Sequence, residues 1–170
     1  MPIITTTNKI VSLCVGAILS ASIFASEGHH ESPPVNAFRV SFADTLTPHG
    51  AKSISLRAAD LINRKGRVAV AEFSRLDGGF LIKDGFVFCM TLDGIMISHP
   101  VRPQLIGQNL SAYDRYGETF FQEMIQVALS LGEGWVEYKW PYPGTNELRQ
   151  KVSYVVRNKE GFFCGVAAFK

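Results

Sequence analysis

The chain has 170 residues, of which 46% are apolar, 19% charged and 11% aromatic, a composition that fits one globular domain and excludes a disordered, fibrous or polytopic chain. Seventeen Lys and Arg against fifteen Asp and Glu leave a formal charge of +2, far from the concentrated positive surface that phosphate-backbone binding demands, so nucleic acid is not expected as a partner. A chain of this size forms a core without a metal or a disulfide framework, and three cysteines are too few to make one.

Lys9 precedes an uncharged run, Ile10 to Phe24, that closes on Ser20, Ala21, Ser22 and Ala25 and gives way to polar residues from Glu27. The run is shorter than the roughly 20 residues a membrane-spanning helix needs, so residues 1–25 read as a secretory signal peptide cleaved after Ala25. Ile23 is larger than the residue preferred at its position, and a retained N-terminal anchor is the alternative. Cys14 follows Leu13, where a lipidation signal would want a small residue. Residues 26–45, with Pro33 and Pro34, are expected to form a mobile N-terminal segment. Within it His29-His30-Glu31 lacks a second ligand pair at a metal-site spacing and reads as solvated tail, so neither metal nor cofactor is expected. In an exported chain Cys89 and Cys164 make an even pair, and their apolar neighbours suit either a disulfide or two buried thiols.

Thr47-Pro48 supplies an N-cap and a first helical residue, Ala51, Ile54, Ala58, Leu61 and Ile62 recur at helical spacing, and Gly66 can stop the helix. A second short helix follows from Arg67 to about Phe73, ending in the turn Leu76-Asp77-Gly78-Gly79. Gly85 to Leu92 is rich in aromatic and β-branched residues, and Asp93-Gly94 is a hairpin signal leading to a strand from Ile95 to Ser98. After a loop with Pro100, Pro103 and Gly107, a third helix is predicted over Gly117 to Leu131. Three strands close the chain: Trp135 to Trp140, Lys151 to Arg157 and Phe162 to Phe169, separated by Pro141-Tyr142-Pro143-Gly144 and by Asn158-Lys159-Glu160-Gly161. This order favours an α+β fold. The near-continuous apolar character of the first and last strands calls for cover on both sheet faces. The N-terminal helix would supply one cover. The third helix with the loop from His99 to Gly117 would supply the other, with room for a pocket beneath it.

Leu92-Asp93-Gly94 leading to His99-Pro100, Leu105-Ile106-Gly107-Gln108-Asn109, Gly134-Trp135-Val136-Glu137-Tyr138 with Trp140-Pro141, then Lys151, Ser153-Tyr154-Val155 and Gly165 together resemble a single Cache domain. The resemblance spans Ala51 to Lys170, and residues 46–170 are taken as the domain. It implies a PAS-like, five-stranded antiparallel sheet with a long N-terminal helix on one face and a helix plus loops on the other. It also implies a bacterial sensor module outside the cytoplasmic membrane that binds small molecules, often short carboxylates. The chain stops at Lys170 without a following hydrophobic stretch, from which a free-standing periplasmic module acting through a separate membrane receptor or kinase is expected. In the implied strand order the first and last strands are neighbours, which places Cys89 beside the strand of Cys164.

A carboxylate leaving water needs fixed donors, and Lys151 and Tyr154 are the candidates, although three residues apart they face opposite ways in a regular strand. A Lys in an apolar strand is costly unless it meets an anion, whereas a Lys at the strand's start would hold its head in solvent. Tyr138 and Trp140 share a face and offer rigid apolar walls, with ordinary core packing as the alternative. His99 could donate to a ligand oxygen, Met90 and Phe88 could shape the floor, and Arg102, Tyr113 and Tyr116 could contact a ligand from the covering loop. The expected function is a non-enzymatic sensor of a small organic acid in signal transduction or chemotaxis. The alternatives are a secreted thiol enzyme using Cys89 or Cys164 with His99, and a ligand-free interaction or dimerisation domain built on the N-terminal helix.

Overall fold

A computed structural model describes residues 45–170; the expected signal peptide and the segment up to residue 44 lie outside the described residues. Helix α1 runs over Pro48–Lys65, begun by Thr47, whose side chain accepts the Gly50 N–H, and closed by Gly66 at a φ of 75°. Its buried face is made of Ala51, Ile54, Ser55, Ala58, Ala59 and Ile62. The small side chains let the helix approach the sheet, and the buried Ser55 hydroxyl lies 2.8 Å from the Tyr154 carbonyl. The short helix expected from Arg67 runs over Arg67–Ser74, is wound as 3-10 turns and buries only Ala69 and Phe73. Among the described residues no helix is long and apolar enough to cross a membrane.

Six antiparallel strands follow: β1 (Leu81–Ile82), β2 (Gly85–Thr91), β3 (Met96–Ser98), β4 (Glu133–Pro141), β5 (Leu148–Arg157) and β6 (Phe162–Phe169). Their order is β1-β2-β6-β5-β4, with β3 also paired to β2. The two-residue β1 was not foreseen, being too short to leave a periodic signal. Helix α2 covers Phe120–Ser130 and buries Phe120, Met124, Ile125 and Ala128. Strand β5 starts three residues before the expected boundary, because Pro141 and Leu148 extend the β4–β5 ladder to its tip. Lys151 is thereby placed inside the strand, opposite Tyr138 on one side and Phe169 on the other.

Alternation sorts the sheet into two faces. Val87, Cys89, Phe162, Cys164, Val166 and Ala168 pack under α1 and the 3-10 segment. Phe88, Met90, Val136, Tyr138, Val155 and Phe163 pack under α2. The pairing of β2 with β6 sets Cys89 opposite Cys164, and a disulfide joins them with their Cα atoms 4.0 Å apart. On the other face Phe88 lies over Gly165, where an added Cβ would stand 2.8 Å from the ring tip. The bridge spans 75 residues of chain, so the Cys89→Ala/Cys164→Ala variant should lose about 4 kcal/mol of unfolding free energy in urea titrations. An unchanged urea midpoint would show that the bridge contributes nothing to stability.

Candidate functional site

A cavity of about 440 Å³ lies on the α2 face of the sheet. Phe86 and Phe88 of β2, Tyr138 and Trp140 of β4, Lys151 of β5, and Ala167 and Phe169 of β6 form its floor. Val101, Arg102, Leu105, Leu110 and Tyr113 of the loop, with Phe120, Phe121 and Met124 of α2, cover it. Residues 81 and 83–85, around the β1–β2 turn, close one side.

The walls are held by aromatic packing. Phe120 stacks on Tyr138 with ring centroids 4.5 Å apart and meets Trp140 edge-on at 5.7 Å. Tyr113 meets both Phe120 and Phe121 edge-on, which ties the loop to the helix. The Tyr138 hydroxyl pairs with Ser153 Oγ at 3.0 Å, and burial pushes its pKa up to about 12, so it stays neutral.

Against these rings the polar groups are few. Lys151 enters from the sheet with Nζ 4.6 Å from the centre of the Phe169 ring. Among the described residues no carboxylate lies within 4.0 Å of it. Burial pulls its pKa down to about 8, the Asp84 charge opposing that shift and the Arg102 charge adding to it. His99 sits beside Phe86, ring centroids 4.8 Å apart. Its Nδ1 accepts the Arg102 backbone N–H at 3.0 Å, which leaves the proton of the neutral ring on Nε2 as a donor. Burial first, then the charge of Arg102, pull its pKa down to about 4, so the ring is neutral at pH 7. Arg102 is exposed, and its guanidinium lies over Trp140 at 5.7 Å, on a ring that Arg115 also covers at 4.6 Å. Asp84, the acid of the wall, accepts the Leu46 N–H at 2.6 Å just before α1.

Of the residues singled out from sequence, Lys151, Tyr138, Trp140, His99, Phe88, Arg102 and Tyr113 line one cavity. Three do not. Tyr154 is on the α1 face, three residues from Lys151 in a strand without a bulge between them, and its hydroxyl donates to Glu133 at 2.9 Å. Met90 shares the face of Phe88 but is fully buried in the core beneath α2. Tyr116 is about half exposed at a φ of 60°, and its hydroxyl accepts from Arg115. Sequence reasoning missed Asp84, Phe86, Phe120, Phe169 and Ala167. Alternation from Phe88 would have found Phe86, since both lie in the predicted strand; Asp84 left no signal, because a turn acid is ordinary. Cys89 and Cys164 are bonded under α1, on the face away from His99, so the thiol pairing weighed from sequence has neither a free sulfur nor a neighbouring base. No group of three metal-ligating side chains occurs among the described residues, and His29-His30-Glu31 lies outside them.

A Cache domain family model matches residues 75–166. The chain is 40% identical over 73 residues to the methyl-accepting chemotaxis protein McpP of Pseudomonas putida, covering 42% of this chain and 13% of that protein. It is 37% identical over 75 residues to the sensor histidine kinase MctS of Rhizobium johnstonii, covering 44% and 16%. The chain therefore spans a small part of the curated relatives it matches. Among solved structures, a periplasmic sensor domain of a chemotaxis protein aligns with a TM-score of 0.53 at 28% identity over 71% of this chain and 88% of that one. A Cache chemosensory domain, solved to show the structural basis of carboxylic acid recognition, aligns with a TM-score of 0.54 at 28% identity over 71% and 86%.

The electrostatics of Lys151 carry a stability test. Its pKa of about 8 in the folded chain is below the ordinary 10.5, so burial of the charged form opposes folding in full below pH 8 and fades as pH rises toward 10.5. Lys151→Met should raise the melting temperature of the ligand-free protein at pH 7, a gain of roughly 2 kcal/mol after allowance for partial exposure. The gain should shrink from pH 8 to pH 10; an equal or lower melting temperature at pH 7 would show the ammonium to be well solvated.

Proposed function

The chain belongs to the Cache domain family, and from that premise we propose that it is an extracytoplasmic sensor module that captures a small organic carboxylate in the cavity beneath α2. The observation that carries this reading is Lys151, a half-buried ammonium on the cavity floor beside the Phe169 ring, with no carboxylate within 4.0 Å among the described residues. Desolvation makes that charge costly, and an anion entering the cavity would offset the cost with a charge-assisted hydrogen bond worth roughly 1.5–3 kcal/mol. Nε2–H of His99 supplies a second, neutral donor, and Arg102 adds positive potential from the loop. The similarity to a chemotaxis receptor and to a sensor kinase supports output into chemotaxis or two-component signalling, and the likeness to a domain solved for carboxylic acid recognition supports the ligand class.

The test is thermal shift and calorimetry with carboxylic acids from two carbons upward and the matching amines. Acids should raise the melting temperature and amines should not. Lys151→Met and Lys151→Gln should each keep the fold and weaken acid binding by roughly 10- to 100-fold. Affinity should be level between pH 6 and pH 7.5, because His99 is already neutral there and Lys151 is still charged. Above about pH 8 it should fall by up to tenfold per unit as the free protein loses the Lys151 proton. Acid affinity that is indifferent to both Lys151 variants would remove this residue and the reading built on it.

A further inference from the structure

The cavity is larger than a short acid requires. Its volume of about 440 Å³ lies in the range of pockets that enclose ligands of drug size. One water occupies about 30 Å³ in the liquid, so the space corresponds to more than a dozen waters. Acetate, with four heavy atoms, would satisfy Lys151 and leave most of the apolar wall wet. The wall itself is built from ring faces and edges: Phe86, Phe88, Phe120, Trp140 and Phe169 all border the space. Such surfaces receive another flat ring in offset or edge-on contact and gain little from a methyl group.

The charges limit the ligand at its other end. Lys151 is the cation carried by the sheet floor, while Arg102 is exposed and drawn over Trp140, and the Lys83 ammonium donates to the Thr45 carbonyl. Asp84 stands in the wall close enough for its charge to act on Lys151, so a second carboxylate would meet a fixed negative charge. Resting on the carboxylate reading above, we propose that the ligand is an aromatic monocarboxylate, its carboxylate on Lys151 and its ring among the cavity's phenyl and indole side chains.

Calorimetry on the folded protein at pH 7 with acetate, propionate, benzoate, phenylacetate and benzyl alcohol separates the parts of this proposal. Phenylacetate or benzoate should bind at least tenfold tighter than acetate and propionate, the gain expected from removing a ring's worth of apolar surface from water. Benzyl alcohol, with the ring but no charge, should bind at least tenfold more weakly than either aromatic acid. In Ala167→Leu, where the added branches project into the same space, the ratio of phenylacetate to acetate affinity should fall toward one. Acetate or propionate binding as tightly as the aromatic acids, or a ratio unmoved by Ala167→Leu, overturns the aromatic class and leaves the carboxylate reading standing. Binding of no acid at all, or benzyl alcohol matching benzoate, overturns both.

Discussion

Strands β2 and β6 pair antiparallel along five residue positions, with Cys89 directly opposite Cys164, 75 residues apart in the chain. Side chains alternate in a strand, so this one register sorts the sheet into two surfaces. One surface, with the disulfide, is closed under α1; the other carries Phe86, Phe88, Ala167 and Phe169 into the cavity. A slip of one residue in either strand would send the phenylalanines to the helix side and the cysteines into the cavity. The covalent bridge and the fit of Phe88 over Gly165 both oppose such a slip.

Upon that frame a polar exception is imposed. Lys151 occupies a sheet position between Tyr138 and Phe169, where desolvation disfavours the charged form and lowers its pKa. The surrounding groups temper the cost without removing it. Asp84 contributes a favourable charge but is also committed to the Leu46 N–H, and Arg102 opposes it while lying over Trp140. On the proposed reading, an anion entering the cavity would offset that cost with a charge-assisted hydrogen bond. Asp84 also joins two regions: it lines the cavity and holds the backbone of Leu46, a buried residue two positions before α1.

Much of the architecture was legible from local chemistry. Thr47-Pro48 and Gly66 bound α1 where capping rules place them, and the Asp93-Gly94 turn and the run from Phe162 to Phe169 lie where composition puts them. The deviations are local too. Helix α2 begins at Phe120 instead of Gly117, and β5 starts at Leu148 because a cross-strand ladder, not residue type, sets its length. Seven of the ten proposed ligand contacts share the cavity. The three that do not were lost to strand parity at Tyr154, to depth at Met90 and to loop direction at Tyr116.

What the amino-acid order determined by itself, then, was the inventory: helix ends, turns, the period of each strand, and the presence of a Lys, a His and paired aromatic residues on predicted elements. These follow from interactions between near neighbours, which the order of residues states directly. Only the tertiary structure decided that Asp84 and Phe169 join Lys151, that Tyr154 belongs to the opposite face, and that the cavity holds about 440 Å³. Those outcomes depend on register between strands far apart in the chain and on how closely α2 and the loop settle over the sheet. Both are set by packing among distant residues, for which no local pattern stands as a proxy.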